Sequence, residues 1–153
     1  MKLRYVWLSI LAFLILTAPG FAQQNLNVNV TGYTLTTDVC QNPIVPKSSL
    51  AVNIATATTT QLVALSTGET ISVCGFSASL MGTTPSIEFE NGTGTTCGTG
   101  TTALTGTFAP TSGSFLHLGF GPVQFAAPVS NALCAVSGGT TPSIQGILVY
   151  VKR

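Results

Sequence analysis

His117 is the sole histidine of the chain, set in the alternating run Phe115–Phe120 (FLHLGF). An imidazole needs partners before it can bind a metal or relay a proton, and no cluster of ligating or acid–base residues accompanies this one. It reads as a partly buried polar residue of a strand. Glu88 and Glu90 fall on one face of the run Ser86–Glu90, about 7 Å apart at strand spacing. Paired carboxylates can hydrolyse a glycosidic bond when a sugar sits between them and their environments differ. Alternating with Ile87 and Phe89, they read instead as the solvated face of a strand. The serines lack a GxSxG elbow, and GTTCGTG at Gly94–Gly100 lacks the Lys and the following helix of a phosphate loop. Asn29-Val30-Thr31 and Asn91-Gly92-Thr93 match the glycosylation sequon, which matters only in a host that glycosylates. The expectation is a protein that is not an enzyme, with no cofactor and no metal.

The four cysteines carry the remaining chemistry. Cys40, Cys74, Cys97 and Cys134 have 33, 22 and 36 residues between them, a spacing that matches no zinc site and contains no CxxC. In an exported chain they read as two disulfides. Three connectivities are open. Counted by alternation, Cys74 shares a face with Phe76, Ala78 and Leu80, and Cys134 shares one with Val136, so both are expected to look inward. Cys40 and Cys97 lie in irregular segments rich in Gly, Pro and Asn. The favoured pairing is therefore Cys74–Cys134 with Cys40–Cys97.

Export is read from the first 22 residues. Lys2 and Arg4 precede the apolar run Val6–Leu16, which is short for a membrane span, and Gly20 and Ala22 supply small residues for a signal peptidase. The mature chain is expected to start at Gln23 and to be secreted or periplasmic, with no membrane association beyond the signal peptide. It then carries Lys47, Lys152 and Arg153 against Asp38, Glu69, Glu88 and Glu90, three against four, a net −1. So neutral a chain has no electrostatic footprint for nucleic acid. With 45% hydrophobic and only 6% charged residues, solubility falls to Thr, Ser, Asn and Gln. Threonine also suits a strand, because its branched Cβ fits a pleated surface.

The elements that must position these residues are all strands. Asn25–Val30 (NLNVNV) alternates without a break, with Leu26, Val28 and Val30 on one face. Asp38–Lys47 interrupts the pattern with two prolines, which sets residues 23–47 apart as an N-terminal extension with one strand. Residues 48–153 then form the main domain, with strands expected at Leu50–Ala55, Gln61–Leu65, Ile71–Leu80, Ser86–Glu90, Thr102–Ala109, Phe115–Phe120, Val123–Ala126, Ala132–Val136 and Ile144–Val151. The hexapeptide GTTPSI occurs twice, at Gly82–Ile87 and Gly139–Ile144, each time between a cysteine-bearing run and a branched apolar one. Read as tight turns, the copies give two similar hairpins. The last strand is apolar on both faces and should be central or sit at an interface. If Ile147, Val149 and Val151 face the core, Leu148 and Tyr150 face outward as a candidate interface, alongside Leu26, Val28 and Val30. About nine short strands with no helical period indicate an all-β, single-domain, disulfide-stapled β-sandwich of jelly-roll type.

Through TALTG at Thr102–Gly106, NALCAVSGG at Asn131–Gly139 and the closing GILVYV, the chain resembles uncharacterised secreted bacterial proteins, Thr-rich and with four cysteines. It also resembles the short β-sandwich modules of phage virions, which end in a similar small-residue strand, turn and apolar strand. The resemblance spans roughly Thr70 to the end; it implies a fold and carries over no functional residues. The expected role is an exported structural or surface protein, associating with itself or with a cell or particle surface. The alternative is a carbohydrate- or receptor-binding module, for which Tyr33, Phe115 and Phe120 are the candidate contacts with a glycan.

Overall fold

Short alternating runs become strands because each buries one face and leaves the other to Thr and Ser. Strand β1 (Ser48–Ile54) buries Val52 and Ile54; it is followed by β2 (Thr59–Val63), β3 (Ile71–Thr93), β4 (Thr99–Ala103), β5 (Ser114–Leu118), β6 (Phe125–Ala127) and β7 (Ala132–Lys152). The computed structural model describes residues 37–153; the expected signal peptide, the run Asn25–Val30 and Tyr33 lie outside the described residues. The described residues are all-β, a single antiparallel seven-stranded sheet in the order β1-β7-β3-β4, with β2 also on β7, and β5 and β6 also on β3. The closing strand is central, as its two apolar faces require.

Two strands far exceed the ordinary length of five or six residues. β3 runs 23 residues and β7 runs 21, and each contains one copy of GTTPSI in its interior. The hexapeptide is therefore a bend within a strand, and the expected pair of hairpins is corrected: the halves of β3 pair with the halves of β7. Ile71–Met81 pairs with the C-terminal half of β7, and Ser86–Gly92 with the N-terminal half, with register shifts on either side of Thr83. Thr83 pairs with Thr140, its counterpart in the other copy, so a local two-fold axis passes between them. Both copies adopt the same backbone, with φ of 113° at Gly82 and 99° at Gly139, then 50° at Thr84 and 48° at Thr141. Glycine is required because a Cβ at Gly82 would stand 2.6 Å from the Thr141 carbonyl oxygen, and one at Gly139 would strike that of Thr84. Each copy's glycine makes room for the other copy's left-handed threonine.

The bends bring the two halves of the sheet onto one core. Phe76 and Ile71 from the first half of β3 join Ile87 and Phe89 from the second, Leu133 and Leu148 from the two halves of β7, and Val52 and Val63 from the outer strands. Phe76 and Phe89 meet edge to face at 5.0 Å, and Phe89 also packs on Phe125 at 4.9 Å. A smaller cluster lies on the other side of the first half, where Val39 and Cys40 cover Cys74 and Val151, with Val45, Val123 and Val149 packed against them. Residues from 36 onward form one compact unit, so the Pro-containing segment before β1 is a cover for the sheet.

Candidate interaction surface

Both disulfides lie on the outer side of the long strands. Cys40 pairs with Cys74, and Cys97 with Cys134, which corrects the favoured connectivity. The cause is a bulge. Val73 pairs with Tyr150 and Gly75 with Val149, leaving Cys74 as an extra residue between them. One inserted residue reverses the side on which every following side chain lies. Val73 and Phe76 therefore both point into the core, while Cys74 points out, toward the segment carrying Cys40. Cys134 follows plain alternation: its neighbours Leu133 and Ala135 enter the core, and it packs with Cys97 and Ala132 on the opposite side. The turn Thr95–Cys97 brings Cys97 there.

Parity on β7 also differs from the sequence reading. Leu148 is fully buried in the core and Tyr150 packs against that core, so neither forms an outward interface. The outward residues are Ile147, Val149 and Val151. Val149 and Val151 are covered by Val39, Val45 and Val123, whereas Ile147 stays 42% exposed. The polar Gln145, two residues before Ile147, is the signal that could have fixed this parity. Leu26, Val28 and Val30 lie outside the described residues.

On β5 the residues alternate, with Leu116 and Leu118 against the core and Phe115 and His117 outside; His117 is exposed, which corrects the expected partial burial. Across the sheet, one row reads Asn53–Gln145–Ser79–Phe115 and the next Ala51–Ile147–Ser77–His117. Neither row carries an acidic or cationic Lys or Arg side chain. Ala51, Ser77 and Ser79 are small residues on either side of Gln145 and Ile147, and one margin is aromatic: Phe115 is 77% exposed and Phe120 is 53% exposed. The Phe120 ring lies over Gly75, where any side chain would displace it, and meets the His117 ring edge-on at 5.4 Å. The result is an uncharged surface with rings along one border.

The titratable groups are dispersed. Glu88 and Glu90 sit together on the outer side of the second half of β3, where Thr107 donates its hydroxyl hydrogen to Glu88. Partial burial, and next the neighbouring Glu88 charge, push the Glu90 carboxyl above its ordinary value. Asp38 accepts backbone hydrogen bonds from Val123 (3.0 Å), Cys40 (2.8 Å) and Gln41 (3.2 Å); the Val123 bond leads in holding its carboxyl below the ordinary value. Among the described residues no three His, Cys, Asp or Glu side chains come together. A depression of about 560 Å³ lies between the bend at Gly82–Pro85 and Ala109–Ser112, lined by threonine, proline and backbone. Asn91 is buried and its amide donates to the Thr102 carbonyl at 3.0 Å, so this sequon is closed to a glycosylating enzyme once the chain has folded.

Fold and surface thus define a class: among the described residues, an all-β sheet with two disulfides, whose outer face is uncharged along the rows from β1 to β5. No described helix is long and apolar enough to cross a membrane. Compared with known proteins, the chain matches no family model, no curated protein and no solved structure.

Proposed function

We propose that the protein is an exported, non-enzymatic structural or surface protein, a jelly-roll-type β-sandwich that acts by associating with copies of itself or with a cell or particle surface. The observation that carries this reading is the uncharged outer face, on which Phe115 and Ile147 stand exposed in successive rows of Ser, Ala, Asn and Gln. Apolar side chains gathered on a neutral face favour contact over solvation. The two disulfides suit an oxidising compartment. Contact between Phe76 and Phe89 across the bend supports the sandwich, because two layers must share one core. The non-enzymatic reading rests on dispersal: His117 meets Phe120 edge-on at the margin of one half-sheet, and the paired glutamates face outward from the other. Sedimentation of the purified chain tests the proposal. Concentration-dependent assembly or binding to a cell or particle surface is expected; a strict monomer that also coats no cell or particle surface overturns it.

The aromatic border favours a second reading, recognition of a carbohydrate or receptor. Exposed rings beside hydroxyl and amide side chains can stack on the apolar face of a sugar while the polar groups meet its hydroxyls. A glycan array is expected to give signals that Phe115→Ala and Phe120→Ala abolish, and a blank array removes this reading.

A further inference from the structure

We infer that β1 is the strand through which two copies of this chain join, edge to edge and antiparallel, into one continuous sheet. This rests on the self-association reading above and adds to it an edge contact, separate from the outer face that carries Phe115 and Ile147. Sheets present unpaired N–H and C=O groups at their edges, and proteins usually blunt such edges with prolines, charges, bulges or shortness. The other edge strands here are blunted. β6 has three residues, β2 carries a register shift between Gln61 and Val63, and β4 contains Gly100 at a φ of 61°. β5 is five residues long and bordered by the projecting Phe120.

β1 has none of these devices. All seven of its residues, SSLAVNI, pair with Ile144–Tyr150 in unbroken register, and among the described residues no strand lies on its other side. It contains no charge, proline or glycine. Lys47, immediately before it, turns its ammonium to the carbonyls of Asn42 (2.9 Å) and Val45 (3.2 Å).

The strand also complements itself. A two-fold axis at Ala51 sets Ala51 against Ala51 of the second copy and Ser49 against Asn53 on the outer side. On the inner side it sets Leu50 against Val52, extending the core row. Directly opposed residues in an antiparallel pair lie on the same side of the sheet, so no apolar residue is forced outward. No charge meets a like charge. The outer faces of both copies then form one uncharged surface, with Ile147 beside Ala51 in each.

The test uses the full chain produced and processed in an exporting host. Sedimentation equilibrium from about 1 μM to about 1 mM is expected to show a dimer. Ala51 is exposed, so Ala51→Lys and Ala51→Glu should fold, with unchanged circular dichroism. Each places like charges at the two-fold axis and is expected to weaken the dimer at least about tenfold, while a 1:1 mixture of the two restores it. Wild-type dimerisation with no loss in either variant, or no recovery in the mixture, overturns the assignment to β1 while leaving self-association intact. A wild-type monomer throughout the range overturns both.

Discussion

Phe76 and Phe89 belong to the same strand, yet their rings touch at 5.0 Å. Thirteen residues of straight strand would hold them about 43 Å apart. The bend at Gly82–Pro85 removes that distance and gives the two half-sheets a common core. Phe89→Ala opens a cavity at the contact with Phe76 and Phe125 and is expected to cost about 3–5 kcal/mol in urea unfolding. In a double-mutant cycle, Phe76→Ala and Phe89→Ala should be non-additive by at least about 0.5 kcal/mol. Additive losses would show that the rings do not depend on each other.

The paired bends predict symmetric costs. Gly82→Ala and Gly139→Ala each drive a Cβ at the opposite copy's carbonyl oxygen from a positive-φ backbone. Each is expected to destabilise by about 2–4 kcal/mol, the two agreeing to within about 1 kcal/mol. Widely different losses would show that the local two-fold axis has no energetic counterpart.

Oxidation is expected to yield Cys40–Cys74 and Cys97–Cys134 by non-reducing peptide mapping. The sequence separations of 34 and 37 are nearly equal, so the loop-closure entropies are too. Removing either bridge by a double Cys→Ala change should cost about 2–4 kcal/mol. Loss of Cys40–Cys74 should also speed amide exchange at Val39 and Val123, because that bridge holds the cover on Val149 and Val151.

Two carboxyls give opposite pH dependences. Asp38 is held below its ordinary value of 3.8, so its contribution is present above that pH and is lost as pH falls through the lower folded value. The protection factor of the Val123 amide, the exchange rate of the unprotected amide over its own at the same pH, should fall in acid, and Asp38→Ala should lower it at neutral pH. Glu90 lies above its ordinary 4.5, so the fold binds its proton more tightly than the unfolded chain does. Stability falls as pH climbs from about 4.5 through the raised value. Urea midpoints across this window should drop less in Glu90→Gln, which should also be the more stable protein at pH 7. An identical profile in the variant would remove Glu90 as the source.

Much of the architecture was legible in period-two patterns. Phe115/His117 were separated from Leu116/Leu118, and Ile87/Phe89 set inward of Glu88/Glu90, because nothing interrupts the alternation between them. The two apolar faces of the last strand left a central place or an interface open, and pairing with β1, β2 and β3 makes it central; the oxidised cysteines followed from their number and spacing. What local pattern could not carry was phase across an interruption. The extra residue at Cys74 is visible only where Val73 and Gly75 meet Tyr150 and Val149 on another strand, and it reversed the inferred direction of that cysteine. GTTPSI has the composition of a turn. Whether such a segment reverses the chain or bends it depends on what pairs beyond it, and here each copy finds its counterpart 57 residues away, Thr83 beside Thr140. Sequence settled which residues alternate; the contacts between β3 and β7 settled where each alternation starts, because a strand's facing is fixed by its partner.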